Sequence, residues 1–262
     1  TTEIYTLSLH DALPISYALG LGFDMIRTGQ ADIVIVGGAD SIINKEEIEG
    51  FNEIYALCTD NDKPEKASRP FSKNRDGFVP GEGAGILILE SATSAKKRNA
   101  RVWAEIAGYA LTSEAYNIMA PEKDGDGIAR TIRRALQNAA VKPEDVQYIN
   151  AHGTSTTLND KYETMAIKQV FGEHAYRIPV SSSKSMIGHT IGAAGVIELG
   201  ITIMAMNQGV IPPTINLDEP DPELDLDYVP NQSRPARLSC AISNSFAFGG
   251  HNAVLVVKTY AE

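Results

Sequence analysis

The sequence predicts an α/β fold with a sheet covered on both faces. Two observations carry that expectation. Short apolar runs such as ADIVIV and GILILE are bounded by glycines and polar residues, as in buried strands. These runs alternate with longer segments whose apolar residues recur at helical spacing. No short-period repeat or low-complexity tract competes with this pattern. The 262 residues suffice for one large domain or two modest ones.

The regular pattern begins near Tyr17. Residues 17–28 read as a helix with Leu21, Met25 and Ile26 on one side, ended by Gly29. Residues 31–36 read as a buried strand running into Gly37 and Gly38, and residues 46–57 as a helix. Residues 60–75 are polar, contain two prolines and read as a surface loop. Residues 85–90 form a second buried strand. A long strand is expected over 101–112. A helix follows over 125–140, where Ile128, Ile132, Ala135, Leu136 and Ala139 share a face. The rest reads as strand 146–150, helix 160–171, strand 178–182, apolar helix 190–207, and strands 238–245 and 253–258. Three units are expected: residues 1–15, 16–90 and 91–262.

Residues 1–15 (TTEIYTLSLHDALPI) have no signal-peptide core, no arginine-rich transit character and no structural period. Back-translated, they fit without a gap into one reading frame of a common short-read sequencing adapter. They are therefore read as foreign to the protein and set aside.

The formal charge is −10, from 23 Lys and Arg against 33 Asp and Glu. This argues against a nucleic-acid binder, which would carry a basic stripe. Cys58 and Cys240 are the two cysteines, in no metal-type spacing, so a reducing cytoplasm is expected. The most apolar stretch, 191–206, is interrupted by Glu198 and rich in Gly and Ala. It reads as a buried helix, and no membrane partner is expected. Arg69, Lys73 and Arg75 offer either a basic patch for an acidic partner or solvated loop charge.

Chemistry is expected at two strand–helix turns, where α/β folds place reactive groups. His152 lies in INAHGTST and His189 in SSSKSMIGHTIGAAG, each beside glycine and hydroxyl residues. Lys184 shares the second turn. Glu198 sits on an apolar helix face, where an unpaired charge is costly, so a buried Lys184–Glu198 pair is the expected solution. Asp160 and Glu163 share a helix face and either cap that helix or hold a cation, with capping favoured by spacing. The run Gly81-Glu-Gly-Ala-Gly leads into a strand, not a helix, and does not fit a dinucleotide site. Gly249 and Gly250, in SNSFAFGGHNA, permit a tight turn whose N–H groups could bind an oxyanion.

Together the runs ADIVIVGGAD, RPFSKNRDGFVPGEGAGILILE, INAHGTSTTLND, SSSKSMIGHTIGAAG, PPTINLDEPD and SNSFAFGGHNA resemble β-ketoacyl-(acyl carrier protein) synthases of the thiolase-like superfamily. The likeness is greatest to the type II elongating enzymes of fatty acid synthesis. It spans residues 17–258 in family order. It implies a duplicated βαβαβαββ unit in five layers, α-β-α-β-α, and a homodimer. The chain would hold the end of the first half and nearly all of the second. By resemblance His152 and His189 are the catalytic histidines, with Lys184 beside them and Glu198 as its buried partner. Thr154 and Thr156 match positions that hold the carrier's phosphopantetheine arm. Phe248, with Gly249, matches the gate and oxyanion hole. Asp160 and Glu163 match acidic support positions. The implied partner is an acyl carrier protein, and no metal or organic cofactor is implied.

The family's nucleophile lies in an Ala-Cys-x-Thr-type run just before the helix at Tyr17. Leu13-Pro-Ile-Ser stands there instead, so this chain as written is expected to be inactive. Thr157 replaces a common Pro, Asn159 a common Gly, and Ala247 and His251 depart from the usual Gly-Phe-Gly-Gly-Thr-Asn. Three readings follow: an elongating condensing enzyme, a polyketide ketosynthase, or a non-catalytic chain-length-factor-like subunit.

Overall fold

The computed structural model describes residues 14–261. Most of the expected adapter-derived segment, residues 1–13, lies outside the described residues. The first helix, α1 (Pro14–Arg27), is followed by β1 (Ile33–Asp40), α2 (Lys45–Glu53), β2 (Gly83–Glu90) and α3 (Ala92–Lys97). Then come β3 (Glu105–Ser113), α4 (Asp126–Asn138), β4 (Tyr148–Asn150), α5 (Thr157–Phe171) and β5 (Val180–Ser181). The chain continues through α6 (Lys184–Ile187), α7 (Ala194–Gln208), β6 (Val210–Ile211), β7 (Arg234–Pro235), β8 (Cys240–Ala247) and β9 (His251–Lys258).

β3, β9, β8, β4 and β5 form a mixed five-stranded sheet in that order. β4 runs parallel to β5 and β8, while β9 is antiparallel to β8 and β3. Side chains alternate between faces of a strand, so β9 needs apolar residues at successive positions only if both faces are covered. Both are. Val254 and Val256 enter a core with Ile128, Ile132 and Leu136 of α4 and Ile167 of α5. Leu255 and Val257 enter a second core with Leu19 of α1 and Val196, Leu199 and Met206 of α7. That second core also takes Val36 of β1, so α1 and α7 are sandwiched between the five-stranded sheet and the antiparallel β1–β2 ladder. The stretch 191–208 is apolar and long enough to span a membrane by composition, but over half of it is buried inside this fold.

The expectation of two-sided burial fails for β1 and β2. Val36 is buried, yet Ile35, Ile86 and Ile88 are 71%, 72% and 64% exposed. Ile35 pairs with Ile88 across the ladder, so these side chains make one apolar face. None of the described residues supplies a layer there. The polar run 60–75 departs from expectation in the opposite direction. Ser68, Arg69, Phe71, Ser72 and Arg75 are buried. Arg69 pairs with Asp60 and Asp76, each at 2.9 Å, and Arg75 with Asp221 at 2.7 Å. These internal partners remove both arginines from any basic docking patch. The segment is an inner wall.

Candidate active site

β4, β5 and β8 end on one side of the sheet, and their following loops converge there. His152 lies two residues past β4, and Lys184 opens α6 three residues past β5. His189 follows α6, and Glu198 projects from α7. Gly188 makes the return possible. Its φ is 72°, and a Cβ there would lie 2.9 Å from the Val79 carbonyl oxygen.

The two histidine rings stand 5.4 Å apart, nearly perpendicular. Both residues are buried. Phe246 meets His152 edge-on at 5.6 Å and Phe78 meets His189 at 5.2 Å. Burial, then the Lys184 charge, holds both imidazoles well below their ordinary pKa, and His189 adds to the effect at His152. Both rings are therefore neutral near pH 7. The Lys184 ammonium donates to the His152 carbonyl at 2.7 Å and to Glu198 Oε1, and sits 3.4 Å from His152 Nδ1. An ammonium can only donate, so His152 Nδ1 accepts and its proton resides on Nε2. His189 Nδ1 accepts from the Ile191 N–H at 3.2 Å, with the same consequence. The geometry thus prepares two neutral Nε2–H donors. Burial pushes the Glu198 carboxyl up while Lys184 pulls against it.

Glu163 and Asp160 neither cap α5 nor form a cation cluster. The Glu163 carboxylate accepts from the His152 N–H, the Gly153 N–H and Asn244 Nδ2, at 2.9, 2.9 and 3.0 Å. It fixes the histidine turn to β8. Burial nevertheless pushes its carboxyl up to about 7. Asp160 accepts from the Phe71 N–H at 2.8 Å and faces Arg75, tying the inner wall to α5. Burial raises its pKa, against those partners. Among the described residues no group of three or more His, Cys, Asp or Glu is placed to hold a metal ion.

A cavity of about 410 Å³ opens onto both histidines. Thr154 and Thr156 line it with their hydroxyls 2.8 Å apart. Phe248 lies at its mouth, partly exposed. Gly249 is not a free oxyanion donor, because its N–H donates to the Ile118 carbonyl at 2.7 Å. That bond anchors the turn and leaves Phe248 as the candidate from this pair. Glu114, unmarked by any sequence signal, reinforces the anchor by accepting from Asn252 Nδ2 at 2.7 Å and the Glu122 N–H at 2.6 Å. Neither cysteine is an activated nucleophile. Burial raises Cys58 and Cys240 to about 11 each, and Asp76 adds to the effect at Cys58.

A mixed α/β sheet whose strand ends present two buried histidines and a buried lysine–glutamate pair has a thiolase-like architecture. The chain belongs to the β-ketoacyl synthase family: residues 16–95 match the β-ketoacyl synthase N-terminal domain and residues 103–218 the β-ketoacyl synthase C-terminal domain. It is 54% identical over 245 residues to the 3-oxoacyl-[acyl-carrier-protein] synthase 2 of Synechocystis sp., covering 94% of this chain and 59% of that protein. The chain thus spans about three-fifths of the length of that curated relative. Two solved structures are also similar. A type II polyketide ketosynthase in complex with its acyl-carrier protein has a TM-score of 0.94 and 41% identity, covering 95% of this chain and 62% of that one. The ishigamide ketosynthase/chain length factor has a TM-score of 0.87 and 43% identity, covering 94% and 58%.

Proposed function

We propose that the protein to which this chain belongs condenses malonyl-ACP with an acyl thioester to give 3-oxoacyl-ACP in fatty acid elongation. The observation that carries this reading is the pair of neutral histidines whose Nδ1 atoms are both engaged as acceptors. The malonyl thioester carbonyl receives the two Nε2–H donors. The bond to the carboxylate breaks, carbon dioxide leaves, and the electron pair enters a thioenolate that those donors stabilise. The carbanion then attacks an acyl thioester carried on a cysteine. The tetrahedral oxyanion forms near Phe248, and the thiolate leaves. The chemistry calls on no resident metal or organic cofactor. Thr154 and Thr156 hold the phosphopantetheine arm of an acyl carrier protein. The protein acts as a cytoplasmic homodimer. This chain as written forms no acyl-enzyme, since neither of its thiols is activated.

The likeness to a polyketide ketosynthase supports a second reading, in which the same condensation builds a polyketide. The third reading, a non-catalytic subunit, is disfavoured because it has no use for the buried His152, Lys184 and His189 constellation. The test is carbon dioxide release from malonyl-ACP by the product of the intact gene. His152→Ala and His189→Ala should each slow release by about 10²–10³-fold, as expected for one oxyanion donor. Unchanged release in either variant would sink the mechanism. The chain length and reduction pattern of the products separate the first two readings.

A further inference from the structure

Ile191 is a β-branched residue at φ 40°, in the left-handed region that such residues avoid because Cβ crowds the backbone. Its N–H is the group that reaches His189 Nδ1. Something must hold this conformation. On one side, His189 is pinned to the inner wall: its N–H donates to the Val79 carbonyl at 2.7 Å, and its carbonyl accepts from the Gly81 N–H at 2.9 Å. On the other side, the Gly192 N–H donates to Asp40 Oδ2 at 2.8 Å. Asp40 Oδ1 accepts from the Ser41 N–H at 3.0 Å, which fixes the carboxylate at the end of β1. Ile191 is thus stretched between two anchors, both supplied by residues before β3.

We propose that Asp40 is a positioning residue that sets the tautomer of His189. Its carboxylate holds Gly192, Gly192 holds Ile191 in the left-handed region, and the Ile191 N–H then confines the His189 proton to Nε2. Without Asp40, Ile191 relaxes, its N–H turns away, and Nδ1 is free to carry the proton. The inference rests on the proposed role of His189 as an Nε2–H donor, and it assigns that role's control to a residue that never touches substrate.

The test is long-range ¹H–¹⁵N NMR of the full chain labelled with ¹⁵N-histidine, which distinguishes protonated from unprotonated ring nitrogens. The wild-type chain should show His189 protonated at Nε2 alone. Asp40→Ala should populate the Nδ1–H tautomer of His189 to about a tenth or more, with His152 unchanged. Asp40→Asn keeps an acceptor oxygen and should restore the wild-type pattern. Glycine adopts the left-handed region without strain, so Asp40→Ala combined with Ile191→Gly should return His189 toward Nε2–H. A wild-type tautomer in a folded Asp40→Ala variant overturns the proposal, leaving Asp40 as a helix-start cap. So does failure of Asp40→Asn to restore it. If Asp40→Ala alone does not fold, a folded double variant with the wild-type tautomer supports the strain clamp, and an unfolded one overturns it. The tautomer is read without substrate, so its outcome and that of the carbon dioxide assay are independent.

Discussion

Lys184→Met is the most informative single perturbation of the core. The Lys184 and Glu198 side chains are 2% and 0% exposed, so water cannot replace the lost partner. The substitution strands the Glu198 carboxylate and removes the donor facing the His152 carbonyl and Nδ1. Breaking one side of a buried ion pair typically costs about 3–5 kcal/mol. For a chain of this size, that lowers the melting temperature by roughly 6–20 °C. The deficit should depend on pH. Burial already raises the Glu198 carboxyl above its unfolded value. Removing the ammonium raises it further, so the lost stability is largest at neutral pH and shrinks as acid protonates the stranded group. Lys184→Met with Glu198→Leu should regain at least half of the loss, since an apolar replacement carries no buried charge. Urea denaturation of the four proteins of this cycle at two pH values measures each quantity. A single-variant loss under about 1 kcal/mol, a pH-independent loss, or simple additivity would refute the reasoning.

Glu163 gives a separate pH signature. Its carboxyl lies near 7 in the fold against an ordinary 4.5, so the unfolded chain ionises first as pH rises. Stability should therefore fall between those values by about 1.4 kcal/mol per unit at most, and Glu163→Gln should remove that slope. A flat profile in the wild-type chain would contradict the burial argument. Cys58 and Cys240, both held near 11, should take no label from a radiolabelled acyl-carrier thioester; stoichiometric labelling of either would show an activated thiol that the structure does not account for. The open face of Ile35, Ile86 and Ile88 should drive concentration-dependent association, and Ile86→Lys should weaken it in sedimentation velocity. A wild-type chain that stays a monodisperse monomer at high concentration would count against that expectation.

The site was legible where a residue's chemistry conflicted with its surroundings. A glutamate on an apolar helix needs a cation, and a lysine in a glycine- and serine-rich turn is one of few that can reach it. His152 stands out by its place two residues past β4, and His189 by its glycine-flanked turn after α6. What could not be read was pairing over long separations. Arg75 meets Asp221, 146 residues away, and the Phe71 N–H meets Asp160, 89 residues away. A run of arginines, serines and prolines therefore looked like a surface loop, although burial had been made tolerable by partners elsewhere in the chain. Asp40 and Glu114 were invisible for a related reason. Asp40 accepts from backbone N–H groups, which any segment can offer, and Glu114 accepts from the Glu122 N–H and from Asn252 Nδ2, 138 residues away, so no local side-chain pattern marks either contact. The apolar runs of β1 and β2 carry the converse lesson. A continuous apolar strand states that both faces are meant to be covered, but it does not say by what. In β9 the covering helices are α4 and α5 on one side and α1 and α7 on the other. For β1 and β2 only the α1–α7 side is present among the described residues. The exposed isoleucines are thus evidence of a missing contact, not of a polar face.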